Sequence, residues 1–441
     1  VRIILVNTRH FRGGGDSTYT FNLADLLRSK GHEVAFFAMQ DPANLPDPNE
    51  DLFVSPIDFR RLNRQKSLSG GIRVLSRVLY SPEARRKFRL LLQRFQPDLI
   101  HLQNILGHIS PSVLFEAKRQ AVPVVWTLHD YRLICPNTHF IIDRTRTICQ
   151  CCTPGTYYRA IGRRCKKDSA MASLMAAVEA YVLRAMRLPC KVEAFLSPSA
   201  FLRGQMLERG FPADKVVHLP LFLSDEVFSP AEGKGDYLLF MGRLEEIKGV
   251  VPLLQACGQV PEVKLILAGS VGESLAERLP ALLPANAQYV GLKKPPELRA
   301  LLAHAMAVVV PSLWYENQPF GMLEAFAASR PAIASDLGGM RELIEQSRAG
   351  VLVPPGDVDA LAAAMRSMAS DPQRARQMGS RGYQYAVAAH RREPHYERLM
   401  EIYGRAMEGK RRFCQTVDKE GPSGEDVRNQ AGPVRTSVGL R

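Results

Sequence analysis

The chain has 441 residues, 46% hydrophobic and 23% charged. That is an ordinary globular composition on a chain too long for one comfortable core, so two domains are expected. No apolar run approaches the ~18 residues needed to cross a bilayer, and the opening Val1-Arg2-Ile3-Ile4-Leu5-Val6 reads as a strand rather than a secretion signal, which predicts a cytoplasmic protein. The net charge of +14 invites an anionic partner, but no nucleic-acid motif accompanies it and nucleic acid is not expected.

The first strand runs into Gly13-Gly14-Gly15, and residues 17–29 follow with helical spacing (Phe21, Leu23, Ala24, Leu26, Leu27) until Gly31 stops them. A second strand is read at 34–39. Residues 60–94 are strongly basic, with Arg60, Arg61, Arg64, Lys66, Arg73, Arg77, Arg85, Arg86, Lys87, Arg89 and Arg94 against Glu83, interleaved with apolar residues. Such a stretch suits an anionic membrane surface or an acidic substrate, and equally a plain solvated face. Further strands are read at 99–102, 122–128 and 194–196. Near-continuous apolar strands alternating with helices imply a parallel sheet covered on both faces.

Residues 131–168 break the alternation and read as an insertion carrying Cys135, Cys149, Cys151, Cys152 and Cys165. In a reducing compartment such a cluster points to metal before disulfide. Cys135, Cys149, Cys152 and Cys165 are the candidate ligands of a structural zinc, with free thiols and redox disulfides as the alternatives. The segment 224–235 reads as a linker, and strand and helix alternate again from 237. Strands are read at 237–241, 263–267, 287–290, 307–310, 332–334 and 351–353. The expected division is an acceptor-side domain at 1–223, a nucleotide-sugar domain at 236–388, a helix at 389–408 packing back on the first domain, and a disordered tail at 409–441.

Two groups of residues carry chemistry. Glu316 and Glu324 stand eight apart, a spacing that on one regular helix would separate them by about 80°. Pro319 and Gly321 between them argue that Glu316 lies in a loop after the 307–310 strand and Glu324 on the following helix. Helix-terminal N–H groups suit a diphosphate, and a carboxylate can accept from two sugar hydroxyls. In the second group, Gly242-Arg243 and Lys248-Gly249 place a planar fork and a point charge after a strand, suited to the same anion.

These elements together resemble the retaining GT-B glycosyltransferases of family 4. The match rests on Gly-Arg…Lys-Gly, the glutamates eight apart, Ser335-Asp336-Leu337-Gly338-Gly339…Glu342, and Gly350 to Asp357, with Gly14-Gly15 and Gly31-His32-Glu33-Val34 in the first half. It spans roughly residues 1–405. One departure is Ser329-Arg330-Pro331, where the family usually has Gly before the Pro. The resemblance implies an α/β fold of two Rossmann-like parallel-sheet domains facing across a cleft, and an NDP-sugar donor held mainly by the second. On that reading Arg243 and Lys248 bind the diphosphate, Glu324 the ribose and Glu316 the sugar hydroxyls. Gly14, Gly15 and Gly242 allow close backbone approach, and the backbone at Phe320, Gly321 and Met322 completes the donor site. His129 corresponds to the family's active-site histidine.

A sugar leaving a diphosphate puts negative charge on phosphate oxygen. Two cations and a helix N-terminus stabilise it, so no catalytic metal or other cofactor is required. The expected acceptor is a lipid-linked or oligosaccharide glycan of the cell envelope or for export, with the protein peripheral on the cytoplasmic face of the membrane. The alternatives are a soluble sugar or sugar-phosphate acceptor, and a catalytically silent glycan- or protein-binding scaffold.

Overall fold

The computed structural model describes residues 1–57, 77–231, 233 and 235–408. Two six-stranded sheets organise them. The first is built from β1 (Arg2–Val6), β2 (Glu33–Phe37), β3 (Leu99–Leu102), β4 (Val124–Thr127), β7 (Ala194–Ser197) and β8 (Val216–His218), in the order β2-β1-β3-β4-β7-β8. Between β4 and β7 comes a small antiparallel hairpin, β5 (Ile141–Ile142) with β6 (Thr147–Ile148). The second sheet comprises β9 (Tyr237–Met241), β10 (Leu265–Ala268), β11 (Ala287–Tyr289), β12 (Ala305–Val310), β13 (Ala332–Ser335) and β14 (Gly350–Val353), in the order β11-β10-β9-β12-β13-β14. Every pairing in both large sheets is parallel.

The central strands are buried on both faces, so they carry largely apolar runs. Ile3 to Val6 and Leu238 to Leu239 have no exposed surface. β8 escapes a reading by pattern because only Val216 of Val216-Val217-His218 is fully buried, leaving three residues without a recognisable period. Strand order decides where ligands go. The chain leaves β9 toward β10 on one side and returns to β12 on the other, opening a crevice beyond the carboxyl ends of β9 and β12. The corresponding reversal in the first sheet lies between β1 and β3.

Several helix ends explain local sequence choices. Ser81, Ser169 and Ser199 each cap a helix by accepting from the backbone N–H three residues on. Ser329, where the family pattern has glycine, takes φ 57° just beyond the helix Phe320–Ala327, the left-handed position that usually follows a helix end.

The described part of the basic stretch is largely neutralised from within. Arg77 and Lys87 pair with Glu83, and Arg94 with Asp51. Arg85, Arg89 and Arg119 converge on Glu116, whose side chain is fully buried. Burial opposes its ionisation, yet these guanidinium bonds hold its carboxyl down at about 2. Arg60, Arg61, Arg64, Lys66 and Arg73 lie outside the described residues, as does 409–441.

The last helix, Arg392–Glu408, packs against the first sheet and the helix Gly15–Ser29, not against the second sheet that precedes it in the chain. Leu399, Ile402, Tyr403 and Ala406 enter that core. Tyr403 Oη lies 2.6 Å from His101 Nδ1, and His101 Nε2 lies 2.7 Å from Thr127 Oγ1 at the end of β4. Tyr19 Oη is likewise 3.1 Å from His395 Nε2. Tyr403→Phe removes one partner of a buried histidine and should cost about 1–3 kcal/mol. Tyr403→Ala adds a cavity, and its cost should rise to about 3–5 kcal/mol. Urea midpoints measure both, and equal midpoints for the two variants would show that the ring does not hold this helix in place.

Candidate active site

The crevice of the second sheet is lined by the loops after β9 and β12. Gly242 opens the first with φ 145°, a conformation open to glycine, and the chain turns through the single turn Glu246–Lys248 into the helix Val250–Gly258. Lys248 is thereby aimed at the second loop. Its Nζ donates to Glu316 Oε1 at 2.6 Å and lies 5.1 Å from the centre of the Trp314 ring. Ser312 Oγ and Trp314 Nε1 donate to the same oxygen at 2.7 and 2.9 Å. Burial opposes ionisation of Glu316, but the Lys248 charge and these three hydrogen bonds hold its carboxyl below the ordinary range. All three donors use Oε1. Oε2 has no hydrogen-bond partner among the described residues, which leaves one oxygen of an ionised carboxylate for a ligand hydroxyl.

Glu316 lies in the loop and Glu324 in the second turn of the helix Phe320–Ala327. The N–H groups of Phe320 and Gly321 have no backbone partner at this helix start. Met322 differs: its side chain is fully buried, and its N–H donates to Pro319 O at 3.0 Å. Met322 therefore offers the cleft neither side chain nor free donor, and is withdrawn from the expected donor set. The Glu324 carboxyl has no hydrogen-bond or ion-pair partner among the described residues, and burial alone pushes it up to about 7.

Arg243 sits apart from the Lys248–Glu316 pair. Its side chain is 63% exposed and meets Glu245 at 2.9 Å, a surface pair that a bound anion can outcompete. It borders a cavity of about 670 Å³ with Ser270, Gly272 and Glu273 on one side and Asp143 and Arg146 of the insertion on the other. Asp357-Val358-Asp359 has the form of a metal-binding Asp-x-Asp, but Asp357 caps the helix Val358–Ser370 and Asp359 accepts from Gln259.

Across the cleft, His129 follows β4. Its Nε2 is 2.7 Å from the Gln103 side-chain amide, and burial lowers its pKa to about 4. The ring is therefore neutral at physiological pH. Gly14 (φ 129°) precedes the helix Gly15–Ser29, and a Cβ on Gly15 would come within 3.1 Å of the Phe320 ring. The first helix start thus abuts the start of the donor-loop helix.

The two halves are tied together beside these residues. Asn317 Nδ2 donates to Leu128 O at 2.8 Å, one residue before His129, while Asn317 Oδ1 accepts from Ser199 Oγ at 2.6 Å. Gln318 Oε1 accepts from Leu221 N, and Glu342 accepts from Ala200 N and Phe201 N. A Cβ on Gly339 would fall 1.7 Å from Asn317 O, so the donor loop rests directly on that backbone. Sequence reasoning passed over Trp314, Asn317 and His139. Trp314 and Asn317 sit inside the same motif as Glu316 and were open to notice. His139 carries no local signal: tertiary folding alone brings its ring 4.6 Å from Trp314, with Nδ1 buried and unpartnered.

Two doubly covered parallel sheets with their carboxyl ends facing, and cations and carboxylates gathered at one switch point, define a GT-B molecule. Comparison with known proteins agrees. Residues 14–221 match the family model "Glycosyl transferase 4-like domain" and residues 224–385 match "Glycosyl transferases group 1". Phosphatidyl-myo-inositol mannosyltransferase of Mycolicibacterium smegmatis is 25% identical over 374 residues, 82% of each chain. Sucrose-phosphate synthase from Thermosynechococcus elongatus superposes with a TM-score of 0.67 at 19% identity, covering 92% of this chain and 99% of that one. Anabaena HepE in complex with UDP gives 0.64 at 16% identity, with 92% and 100% covered. The chain belongs to the family 4-like GT-B glycosyltransferases and is an NDP-sugar-dependent enzyme.

Glu324 supplies a pH test of the site. The unfolded chain ionises this group from its ordinary 4.5, the folded chain only at about 7, so stability falls as pH rises through that window and is level above it. The loss is at most about 3 kcal/mol. Glu324→Gln should flatten this part of the stability profile, seen in urea midpoints between pH 5 and 8 (about the range where buried carboxyls titrate). A variant profile parallel to the wild type would locate the titration elsewhere.

Proposed function

We propose that this enzyme retains anomeric configuration and transfers its sugar to a lipid-linked or oligosaccharide acceptor of an envelope or exported glycan, acting at an anionic membrane surface. The observation that carries the donor half is the ionised Glu316, held through Oε1 alone by Lys248, Ser312 and Trp314 in the loop that leads into the Phe320–Ala327 helix. Arg243, Lys248 and the N–H groups of Phe320 and Gly321 hold the diphosphate. Glu324 takes the ribose hydroxyls with both oxygens, and Glu316 Oε2 takes a hydroxyl of the sugar.

In the reaction the C1–O bond to the diphosphate breaks as a bond from C1 to the acceptor oxygen forms on the same face. The acceptor proton passes to the departing diphosphate, so no separate base is needed. Charge that builds on the phosphate meets Lys248, already fixed against Glu316, and Arg243, which exchanges Glu245 for the anion. His129, neutral and fixed by Gln103, faces the sugar from the opposite domain as a polar contact rather than an acid. A lipid acceptor is favoured by the similar mannosyltransferase, whose name states phosphatidyl-myo-inositol, and by the basic segment 60–76.

Thermal shift with UDP, GDP, ADP and their sugars, with and without magnesium, tests the donor half, since a ligand that binds the native state raises the melting temperature. One nucleotide should stabilise the wild type equally in EDTA and fail with Glu324→Ala. Arg243→Ala should lower kcat by about 10²-fold. No shift with any nucleotide would sink the donor assignment. Turnover on a soluble sugar phosphate, with no turnover on lipid extracts, would overturn the acceptor half, and an inverted product anomer by NMR would overturn retention.

A further inference from the structure

The 16-residue helix Ala170–Ala185, between β4 and β7, is apolar on both of its sides. Its inner side is accounted for. Ala177 and Ala180 share a cluster with Tyr157, Ala160, Cys152 and Cys165, and Leu183 enters the core of the first sheet. The sole acid of the helix also turns inward: Glu179, 7% exposed, takes Arg132 at 2.8 Å. The cysteines beneath the helix are free thiols, and among the described residues no three metal-binding side chains stand in reach of one ion.

The outer side differs. Met171, Leu174, Met175, Val178, Tyr181 and Val182 fall within ~120° of the circumference at 3.6 residues per turn, one continuous stripe. No charged side chain interrupts it, and none of the six belongs to an apolar core among the described residues. Met171 and Leu174 are 53% and 39% exposed, and Tyr181 37%. Tyr158 joins them at 57%, its backbone N–H donating to Tyr181 Oη at 3.3 Å. Half of the large hydrophobic side chains that the described residues expose therefore lie on this one surface. Apolar surface gathered in this way marks a contact, whereas scattered exposed leucines do not.

The rim of this surface is basic. Arg163, Arg164 and Lys167 precede the helix, Arg184 and Arg187 stand at its end, and all five are exposed. The acids between 159 and 191 are already engaged, Glu179 with Arg132 and Asp168 with Arg144 at 3.8 Å. That distribution selects the occupant. A second copy on this face would set basic ends against basic ends whether the helices ran parallel or antiparallel, because a two-fold contact uses the same patch twice. A protein partner needs polar bonds at the seam. The stripe has a single hydroxyl, Tyr181 Oη, which donates to Gly155 O at 3.0 Å. A bilayer requires neither: it takes up the apolar side chains while the surrounding cations meet lipid phosphates.

We propose that the outer face of the helix Ala170–Ala185, with Tyr158 and the basic residues at both ends, seats the enzyme on a bilayer containing anionic phospholipid. The inference rests on the reading that the enzyme works at such a membrane, and it locates the contact on this helix rather than in residues 60–76. The helix is firmly tied to the cleft. Arg132, which holds Glu179, donates to Leu106 O at 2.8 Å, and its backbone N–H donates to Asp130 Oδ1 at 2.9 Å, beside His129. Docking through this face puts the membrane on the half of the molecule that carries His129, opposite the donor loop.

Flotation of the full chain with vesicles of phosphatidylcholine, alone or with about a third phosphatidylglycerol, tests the assignment. The wild type should float with the mixed vesicles and far less with phosphatidylcholine alone. Met171→Gln and Leu174→Gln together should weaken binding at least about tenfold. Arg164→Gln with Lys167→Gln should weaken it about thirtyfold. Both double variants should keep the wild-type urea midpoint, since the side chains removed are exposed. Should the variants misfold, peroxide footprinting of the wild type decides the question: mixed vesicles should slow oxidation of Met171 and leave that of Met407, on the last helix, unchanged. Wild-type flotation that the Met171 and Leu174 variant retains in full, or that leaves Met171 oxidising at its free rate, would overturn the assignment while the membrane reading stands. No flotation of the wild type with either vesicle would overturn both. A dimer in sedimentation that the same two substitutions dissolve would give the face to a second copy and overturn the assignment.

Discussion

The ion pair between Lys248 and Glu316 sets the geometry on which the cleft depends. A carboxylate at 7% exposure would ordinarily give up its charge. Here a lysine from the loop after β9 reaches it at 2.6 Å, and Ser312 and Trp314 complete its shell. Such a pair costs desolvation on both sides, so it adds little net stability compared with an apolar contact, but breaking it would strand a buried charge. Its consequence is register. The loops after two adjacent strands are held in one relation, and the next two residues, Asn317 and Gln318, are thereby presented to the other half of the molecule.

Those two residues carry the coupling. Asn317 bonds the carbonyl of Leu128 and the hydroxyl of Ser199, and Gln318 bonds the backbone at Leu221. One short stretch therefore binds a lysine with its first side chain and the opposite domain with the next two. His129 sits one residue from an anchored carbonyl, and these hydrogen bonds act together with the Phe201–Tyr315 ring stack (4.7 Å) in setting its relation to Glu316.

A second layer of polar bonding supports the first domain from behind. His101 links Thr127 at the end of β4 to Tyr403, and Tyr19 links the first helix to His395. Burial lowers His101 to about 3 and His395 to about 4, so both are neutral and their bonds need no counter-ion. The last helix, which follows the second sheet in the chain, thereby becomes part of the wall behind His129. Both long-range couplings, Asn317 in front and Tyr403 behind, converge on the end of β4.

The sequence by itself determined the two-sheet α/β architecture, because strands buried on both faces must be apolar throughout and helices between them must repeat near 3.6 residues. It also marked Gly242-Arg243, Lys248, Glu316 and Glu324, whose types and spacing after apolar strands are local properties. β8 lay below that threshold, being three residues with one fully buried. Tertiary structure alone decided the rest. Whether Met322 has a free N–H depends on the first turn of its helix, and whether Arg77 to Arg94 remain available depends on Glu83, Glu116 and Asp51 folding against them. His139 meets Trp314 across 175 positions of chain. Local pattern records what a residue needs from its neighbours in sequence, whereas a partner in space is chosen only when the two sheets close on one another.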